Sequence, residues 1–184
     1  DIFLHAIGEI GFDGATYRAM QFDGPGSAGL SMDDRMTVAN MAIEAGGKNG
    51  IFEYDEKTGL MVDERTKLNG TKSDYEPVEL DERETFVYDT TIDLSALEPT
   101  VACHPDPGQR KLAREMTDMK LDRAYVGSCT GGKTSDFLAF AELVRGQEVC
   151  IDTFGVPATP EIVHDLQTTE WDGKSVWSIL TDAG

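Results

Sequence analysis

The stretch RAYVGSCTGGKTSDFLAF, residues 123–140, decides the fold of this chain. An apolar run leads into a glycine-rich turn and then into apolar residues at helical spacing, which predicts a strand, a tight turn and a helix. Two interpretations of the turn are open. Gly127, Gly132, Lys133 and Thr134 fit the phosphate-binding pattern G-x-x-x-x-G-K-[ST]. Cys129 has no part in that pattern and indicates a different ligand.

The residues after this stretch continue the alternation of strand and helix. We predict helices over 134–146, 159–169 and 173–184 and a strand over 148–156. Alternation with short connections predicts parallel strands with helices packed across them, an α/β fold. The apolar strand contains Cys150, which we expect to be buried. It also contains Asp152, which a nucleotide-binding protein would use to hold magnesium.

The residues before the 123–140 stretch alternate less regularly between predicted strands and helices. We predict helices over 1–11 and 109–118 and a third helix that begins after Ser31 and ends at Gly46–Gly47. We predict strands over 15–22 and 50–55 and an edge strand over 85–94. A long connection with one short helix is predicted over about 55–85, and an extended run over 98–108. The change to regular alternation after residue 100 predicts two domains, 1–99 and 100–184.

Charge and cysteine content limit the function. The 184 residues carry a net charge of −18, which argues against nucleic acid and anionic membranes as partners because both would repel the chain. Three widely spaced cysteines predict no disulfide framework and suit a reducing compartment. No C-x-x-C pair is present to complete an iron–sulfur ligand set, and neighbouring Cys103 and His104 are a poor metal pair. The chain opens without Met, so we expect a fragment of a longer polypeptide.

Cys129 stands out from the other cysteines by its position. A strand end that leads into a helix start lies at the carboxyl edge of a parallel sheet, where ligands of α/β proteins bind. A helix N-terminus favours the thiolate that iron requires, and Gly127, Gly131 and Gly132 let a bulky group approach the backbone. These features favour a cysteine ligand over a buried structural cysteine.

The turn is part of a wider resemblance. YVGSCTGGKTSDFLAFAELVRG resembles the first cluster-ligand motif of the aconitase superfamily, and within it the family of 3-isopropylmalate dehydratase large subunits. DIFLHAIGEIGFDGATYRAMQFDGPG, LSMDDRMTVANMAIEAGGKNGIF and ALEPTVACHPDPGQRKLARE are similar to successive blocks of the same family, in the same order. The resemblance covers nearly the whole chain and is weakest over 53–84. It argues against the nucleotide-binding interpretation, which ranks far behind the two hypotheses given at the end of this section.

The resemblance implies a three-layer α/β/α fold, of which this chain spans parts of two domains. It implies a hydro-lyase that interconverts 2-isopropylmalate and 3-isopropylmalate in leucine biosynthesis, with a 4Fe-4S cluster and with Cys129 as one cluster ligand. The substrate is a small molecule, and the partner is a small swivelling subunit or domain. The family's second and third cluster cysteines lie beyond this chain. We expect no membrane insertion, and a location in the plastid stroma for a plant or algal source or in the cytoplasm otherwise.

Two more site residues follow the resemblance. Met32, Met36, Asn40 and Glu44 are spaced by four, which predicts that they lie along one side of a helix. Spacing alone is equally typical of a helix end that emerges into water. Asn40 and Glu44 match the family's N-x-x-x-E, whose residues face the open iron and its water, so we predict that both are catalytic. Arg18 and the run 33–35 are predicted to be solvated surface charges.

The chain also departs from the family. It lacks the N-terminal histidine and aspartate motifs and the swivelling domain, and His104 precedes Pro105 where relatives tend to have the reverse order. We assign His104 no role. Two hypotheses of different class therefore stand: part of a working dehydratase, or a non-catalytic remnant that serves a larger assembly as a structural or binding component.

Overall fold

A computed structural model describes residues 1–71, 75–78 and 85–184 of the chain. These residues form two compact units, Asp1–Thr117 and Asp118–Gly184. Both units mix helices and strands, which agrees with the predicted α/β class. The predicted domain boundary at 99/100 concerns the domains of the complete family fold and stays a prediction.

The first unit contains three helices and four short strands within its described residues. They are α1 (Ile2–Ile10), β1 (Ala19–Phe22), α2 (Met32–Asn40), β2 (Asn49–Phe52), α3 (Glu56–Leu68), β3 (Thr100–Ala102) and β4 (Arg110–Leu112). Strands β1 and β2 are parallel, with Ala19 opposite Asn49 and Phe22 opposite Phe52. Since α2 connects them, this part is a strand–helix–strand crossover. Strands β3 and β4 form a separate antiparallel pair.

The core of the first unit packs the crossover against α1. Phe3, Ile7, Val38, Ala42 and Ala45 are buried together. The rings of Phe22 and Phe52, side by side on the parallel strands, stack with their centroids 5.3 Å apart. The segment that carries Asn40 and Glu44 is therefore packed on its apolar side against α1 and the strand pair.

Helix α2 begins where the sequence predicts. The Ser31 hydroxyl accepts a hydrogen bond from the Asp34 amide at 3.1 Å, and the Asp34 carboxylate accepts one from the Ser31 amide at 3.0 Å, so the two residues form a capping box. Beyond Asn40 the backbone tightens into a 3₁₀ turn, Met41–Ala45. Gly46 then ends the turn in the left-handed region, with φ of 79°.

Several predictions for the first unit were wrong. The connection after residue 55 begins with a full helix of 13 residues, α3, capped by Asp55, and its residues 72–74 and 79–84 lie outside the described ones. Residues 85–94 form no edge strand: Phe86, Val87 and Tyr88 are exposed, and nothing in the described residues pairs with them. The helix predicted over 109–118 is strand β4 followed by a 3₁₀ turn, because residues 110–112 pair with β3.

The second unit contains β5 (Arg123–Gly127), α4 (Thr134–Val144), β6 (Asp152–Val156), α5 (Pro160–Thr168), β7 (Glu170–Trp171), β8 (Lys174–Ser175) and α6 (Val176–Asp182). Strands β5 and β6 are parallel, as predicted, with Arg123 opposite Asp152 and Gly127 opposite Val156. Phe137 and Ala141 of α4 pack with Leu166, Val176 and Ile179 in the core of this unit.

Strand β6 is shorter than predicted, and this changes the place of Cys150. The strand begins at Asp152, so Cys150 lies before it in an irregular segment and is exposed. The prediction that this thiol is buried in an apolar strand was therefore wrong. The last predicted helix is also shorter, since residues 170–175 form a small antiparallel pair of strands before α6 begins.

Candidate functional site

The turn between β5 and α4 presents Cys129 to solvent. The strand ends at Gly127, whose φ is 151°, and Ser128 follows with a φ of 87°, which residues with a side chain rarely adopt. Cys129 comes next and is exposed, with its sulfur as a thiol. These two backbone angles turn the chain sharply at the carboxyl end of β5, so Cys129 lies at the sheet edge where the sequence predicted it.

Bonds within the turn fix its shape. The Ser128 hydroxyl accepts hydrogen bonds from the amides of Thr130 at 3.3 Å and Gly131 at 3.4 Å. The Gly132 carbonyl accepts one from the Ala158 amide at 2.9 Å, which ties the turn to the segment after β6. A side chain at position 132 would place its Cβ 2.7 Å from the Ser128 carbonyl oxygen. Cys129 is therefore held by a closely folded backbone.

The same contacts argue against a phosphate site. The Lys133 ammonium donates to the Thr130 carbonyl and lies 3.6 Å from the Asp136 carboxylate, so it points back into the turn and the first turn of α4. Two amides that would face a phosphate already donate to Ser128. Asp152 begins β6 and lies at the opposite end of the strand pair from the turn, paired with Arg123 at 3.2 Å. The phosphate-binding turn and the magnesium-binding aspartate that a nucleotide site requires thus lie at opposite ends of the two strands.

Asn40 and Glu44 lie in the first unit, and their relation differs from the prediction. Asn40 is the last residue of α2 and is exposed, whereas Glu44 belongs to the following 3₁₀ turn and is half-buried. A 3₁₀ turn advances about 120° per residue instead of 100°, which rotates Glu44 by roughly 80° from a straight helical line through Asn40. Glu44 therefore does not continue the line along one side of a helix that was predicted for Met32, Met36, Asn40 and Glu44.

Glu44 has an unusual environment for a carboxylate. In the part of the chain that the structure describes, Glu44 Oε2 and Arg35 Nε are the buried side-chain polar atoms without a hydrogen-bond partner. Such an atom costs about 1–3 kcal/mol of stability. A carboxylate oxygen in this state calls for an explanation, such as a catalytic role or a bound water or ion.

Sequence reasoning missed an ion pair beside this segment, between a buried guanidinium and a carboxylate that is partly exposed. Arg35, predicted to be a surface charge, is 3% exposed, and its guanidinium donates to the Asp55 carboxylate at 2.6 Å. This bond is the largest cause that holds the pKa of the Asp55 carboxyl well below its usual range, and hydrogen bonds from Thr58 act in the same direction. Within the same run Asp34, which caps α2, is exposed as predicted, and so is Arg18.

The predicted site residues are divided between the two units. Asn40 and Glu44 belong to the first unit, and Cys129 belongs to the second. Across residues 1–71, 75–78 and 85–184, no three histidine, cysteine, aspartate or glutamate side chains are grouped closely enough to hold a metal ion. The expectation that further cluster ligands come from outside this chain stays a prediction.

Comparison with known proteins covers the whole chain. Residues 1–114 match the aconitase family (aconitate hydratase). The chain is 46% identical over 189 residues to the chloroplastic 3-isopropylmalate dehydratase large subunit of Arabidopsis thaliana, with 100% of this chain and 36% of that protein covered. It is 42% identical over 186 residues to the 3-isopropylmalate dehydratase large subunit of Acetivibrio thermocellus, with 100% of this chain and 42% of that protein covered. The chain thus spans about two-fifths of the length of these relatives.

Proposed function

This chain belongs to the aconitase family, and we therefore propose that it is part of a hydro-lyase that interconverts 2-isopropylmalate and 3-isopropylmalate in leucine biosynthesis. The substrate is taken from the names of the relatives, which are dehydratase large subunits. We extend the proposal to the fold: the chain contributes parts of two three-layer α/β/α domains, divided near residue 100.

The observation that carries the proposal is the exposed thiol of Cys129 in the turn between β5 and α4. Aconitase-family dehydratases generally use a 4Fe-4S cluster, and an exposed thiol beside Gly131 on a closely fixed backbone fits one ligand position of such a cluster. We propose Cys129 as that ligand, with two further cysteines supplied from outside this chain. When bound, the cluster supplies Lewis-acid chemistry that makes the hydroxyl of the substrate a better leaving group.

We propose that Glu44 and Asn40 serve the reacting groups from the first unit. The buried Oε2 of Glu44, which has no hydrogen-bond partner among the described residues, is suited to accept a hydrogen bond from the departing or entering water. Asn40 ends α2 and is exposed, so its side-chain amide can donate to one oxygen and accept from another. In this proposal Glu44 moves the proton and Asn40 orients the water.

The proposal includes partners and location. We propose that the substrate is bound together with a small swivelling subunit or domain of the same enzyme, and that the enzyme works in the plastid stroma in a plant or alga and in the cytoplasm elsewhere. The net charge of −18 argues against nucleic acid as a partner. Every helix in the described ranges is too short or too polar to cross a membrane.

A reconstitution experiment tests the proposal. The full-length polypeptide that carries this sequence is purified with its small subunit, loaded anaerobically with iron and sulfide, and assayed with 2-isopropylmalate. We expect turnover and a cluster signal in electron paramagnetic resonance, both abolished by Cys129→Ser. Cys150→Ser is the matched control, because Cys150 is the other exposed thiol of the same unit and should leave both readouts unchanged.

Two outcomes would contradict the proposal. A cluster that survives Cys129→Ser would show that the ligand is misassigned. A complete preparation with an intact cluster but with no turnover of isopropylmalate would favour the alternative, a non-catalytic member of the family that serves a larger assembly.

A further inference from the structure

The Arg35–Asp55 ion pair of the first unit links three segments at one point. The Arg35 guanidinium donates to the Asp55 carboxylate at 2.6 Å and to the Ser27 carbonyl at 3.1 Å. The central carbon of this guanidinium, Cζ, lies 5.9 Å from the centre of the Phe52 ring. One side chain in the middle of α2 is therefore bonded both to the loop before α2 and to the residue that begins α3.

The Asp55 carboxylate has a second task that strengthens this link. It caps α3 by accepting a hydrogen bond from the Thr58 amide at 3.0 Å. Lys57, in the first turn of α3, donates to the carbonyls of Ala28 at 2.6 Å and Leu30 at 3.0 Å. The start of α3 thus holds the loop before α2 and holds α2 itself through Arg35.

The net contribution of this ion pair to stability is reduced by the desolvation of the Arg35 guanidinium. The buried guanidinium loses its hydration, whereas the Asp55 side chain is 37% exposed, and this exposure weakens its attraction for the guanidinium. The cost is higher here because Arg35 Nε is buried without a hydrogen-bond partner among the described residues. A hydrophobic residue at position 35 would pack beside Val38 and Phe52 without this cost, so the pair calls for a role other than stability.

The position of Arg35 indicates that role. Arg35 precedes Asn40 by five residues, which is about 7.5 Å along a helix. Helix α2 runs without interruption into the 3₁₀ turn that carries Glu44. The far end of that turn is fixed separately, since the Ala45 carbonyl accepts a hydrogen bond from the Ala15 amide at 2.9 Å. Asn40 and Glu44 therefore lie between two anchors.

We propose that the Arg35–Asp55 pair positions the Asn40–Glu44 segment for the reaction, and this inference rests on the proposed function. Arg35 and Asp55 are positioning residues in this proposal. They act by fixing the rotation and advance of α2, so that Glu44 meets the reacting water at the required distance. A displacement of about 1 Å at a catalytic group is enough to lower turnover by up to about a hundredfold.

A double-mutant cycle separates positioning from stability. Asp55→Asn keeps a side chain that caps α3 but removes the negative charge, and Arg35→Met keeps length but removes the guanidinium. The double variant removes both charges and leaves no charge buried alone. Val38→Ala is the control, because Val38 lies on the same helix, is similarly buried at 5% exposure and packs in the apolar core.

We expect each single variant to lower both the thermal midpoint and kcat. In the double variant the midpoint should recover most of its loss, while kcat stays about tenfold or more below wild type with little change in KM and a normal cluster signal. Val38→Ala should lower the midpoint and keep kcat within about twofold of wild type. Recovery of kcat together with the midpoint in the double variant would overturn the proposal.

A second measurement does not depend on activity. Hydrogen exchange of the full-length polypeptide without its cluster should show faster exchange at the amides of residues 40–47 in the double variant, and little change there in Val38→Ala. Unchanged exchange in the double variant would also overturn the proposal. If wild type itself does not turn over isopropylmalate, the proposed function fails, and the exchange measurement still decides whether the pair fixes this segment.

Discussion

The turn that carries Cys129 and the segment that carries Glu44 are held in place by different balances of local and distant contacts. The turn has unusual backbone angles at Gly127 and Ser128, local bonds to the Ser128 hydroxyl and one bond to the segment after β6, and the thiol that we propose as a ligand is exposed. The α2 segment makes contacts distant in sequence, among them that between Arg35 and Asp55, and the Glu44 oxygen that we propose as catalytic is buried. A local turn can present a ligand to an incoming group, whereas a group that must meet water in one geometry needs support from several elements.

The strongest test of this comparison is Glu44→Gln in the full-length enzyme. Loss of a group that moves a proton typically lowers turnover about a hundredfold or more, while the cluster should remain because Glu44 is in the other unit. Steady-state kcat and the cluster signal check this. Glu53→Gln is the control, since Glu53 is an exposed glutamate of the same unit and should have no effect. Near-normal kcat in Glu44→Gln would remove the catalytic role from the buried site.

We expect the turn to be destabilised by substitutions that its backbone conformation does not accommodate. In Gly127→Ala the new Cβ would lie 2.5 Å from the Val156 carbonyl oxygen, at a φ of 151°. We expect a loss of about 2 kcal/mol or more in the free energy of unfolding, measured by urea denaturation.

Gly146→Ala separates the two causes of that loss. Gly146 also has a positive φ, 73°, but among the described residues no atom lies within 4 Å of the position that its new Cβ would take. This substitution should cost only about 1 kcal/mol. Equal losses in the two variants would show that close approach to β6 is not what holds the turn.

The α2 segment should respond to acid. Because Arg35 holds the pKa of Asp55 below its usual range, the folded chain binds this proton less tightly than the unfolded chain. The contribution of Asp55 to stability is therefore complete above its unfolded pKa of about 3.9 and is lost as pH falls below that value. Unfolding followed by denaturant at a series of pH values should show a smaller acid loss in Asp55→Asn than in wild type.

Asp93 provides the matched comparison. Ser95 lowers the pKa of Asp93 as well, but Ser95 is a neutral neighbour two residues away, so Asp93→Asn should flatten the acid loss less than Asp55→Asn does. The reverse order would contradict the view that the distant contact with Arg35 dominates the acid response of the first unit.

The smallest expected effect is the response to ATP. Lys133 is bonded within its own turn, so titration with ATP and magnesium should give no saturable heat, and Lys133→Ala should behave like wild type. Saturable micromolar binding that Lys133→Ala abolishes would mean that the turn is open to phosphate and not closed on itself.

Local signals in the sequence predicted a good part of the fold and of the candidate site. Ser31 and Gly46 marked the ends of the α2 segment, and the glycines around Cys129 marked the turn, because caps and tight turns depend on neighbouring residues. The alternation over 85–94 misled, since a strand needs a partner that no local pattern supplies. Arg35 was missed for the same reason: its partner Asp55 is 20 residues away, and a charged residue in a polar run is typical of a surface.

The double task of Asp55 has a consequence for how related sequences change over time. A chain that loses the acid at position 55 keeps a buried guanidinium without a counter-charge and weakens the start of α3 in the same step. A chain that loses the arginine at position 35 can still retain the acid, because Asp55 caps the helix on its own. Substitution should therefore follow an order, with position 35 changing first, and sequences with arginine at 35 but no acid at 55 should be rare.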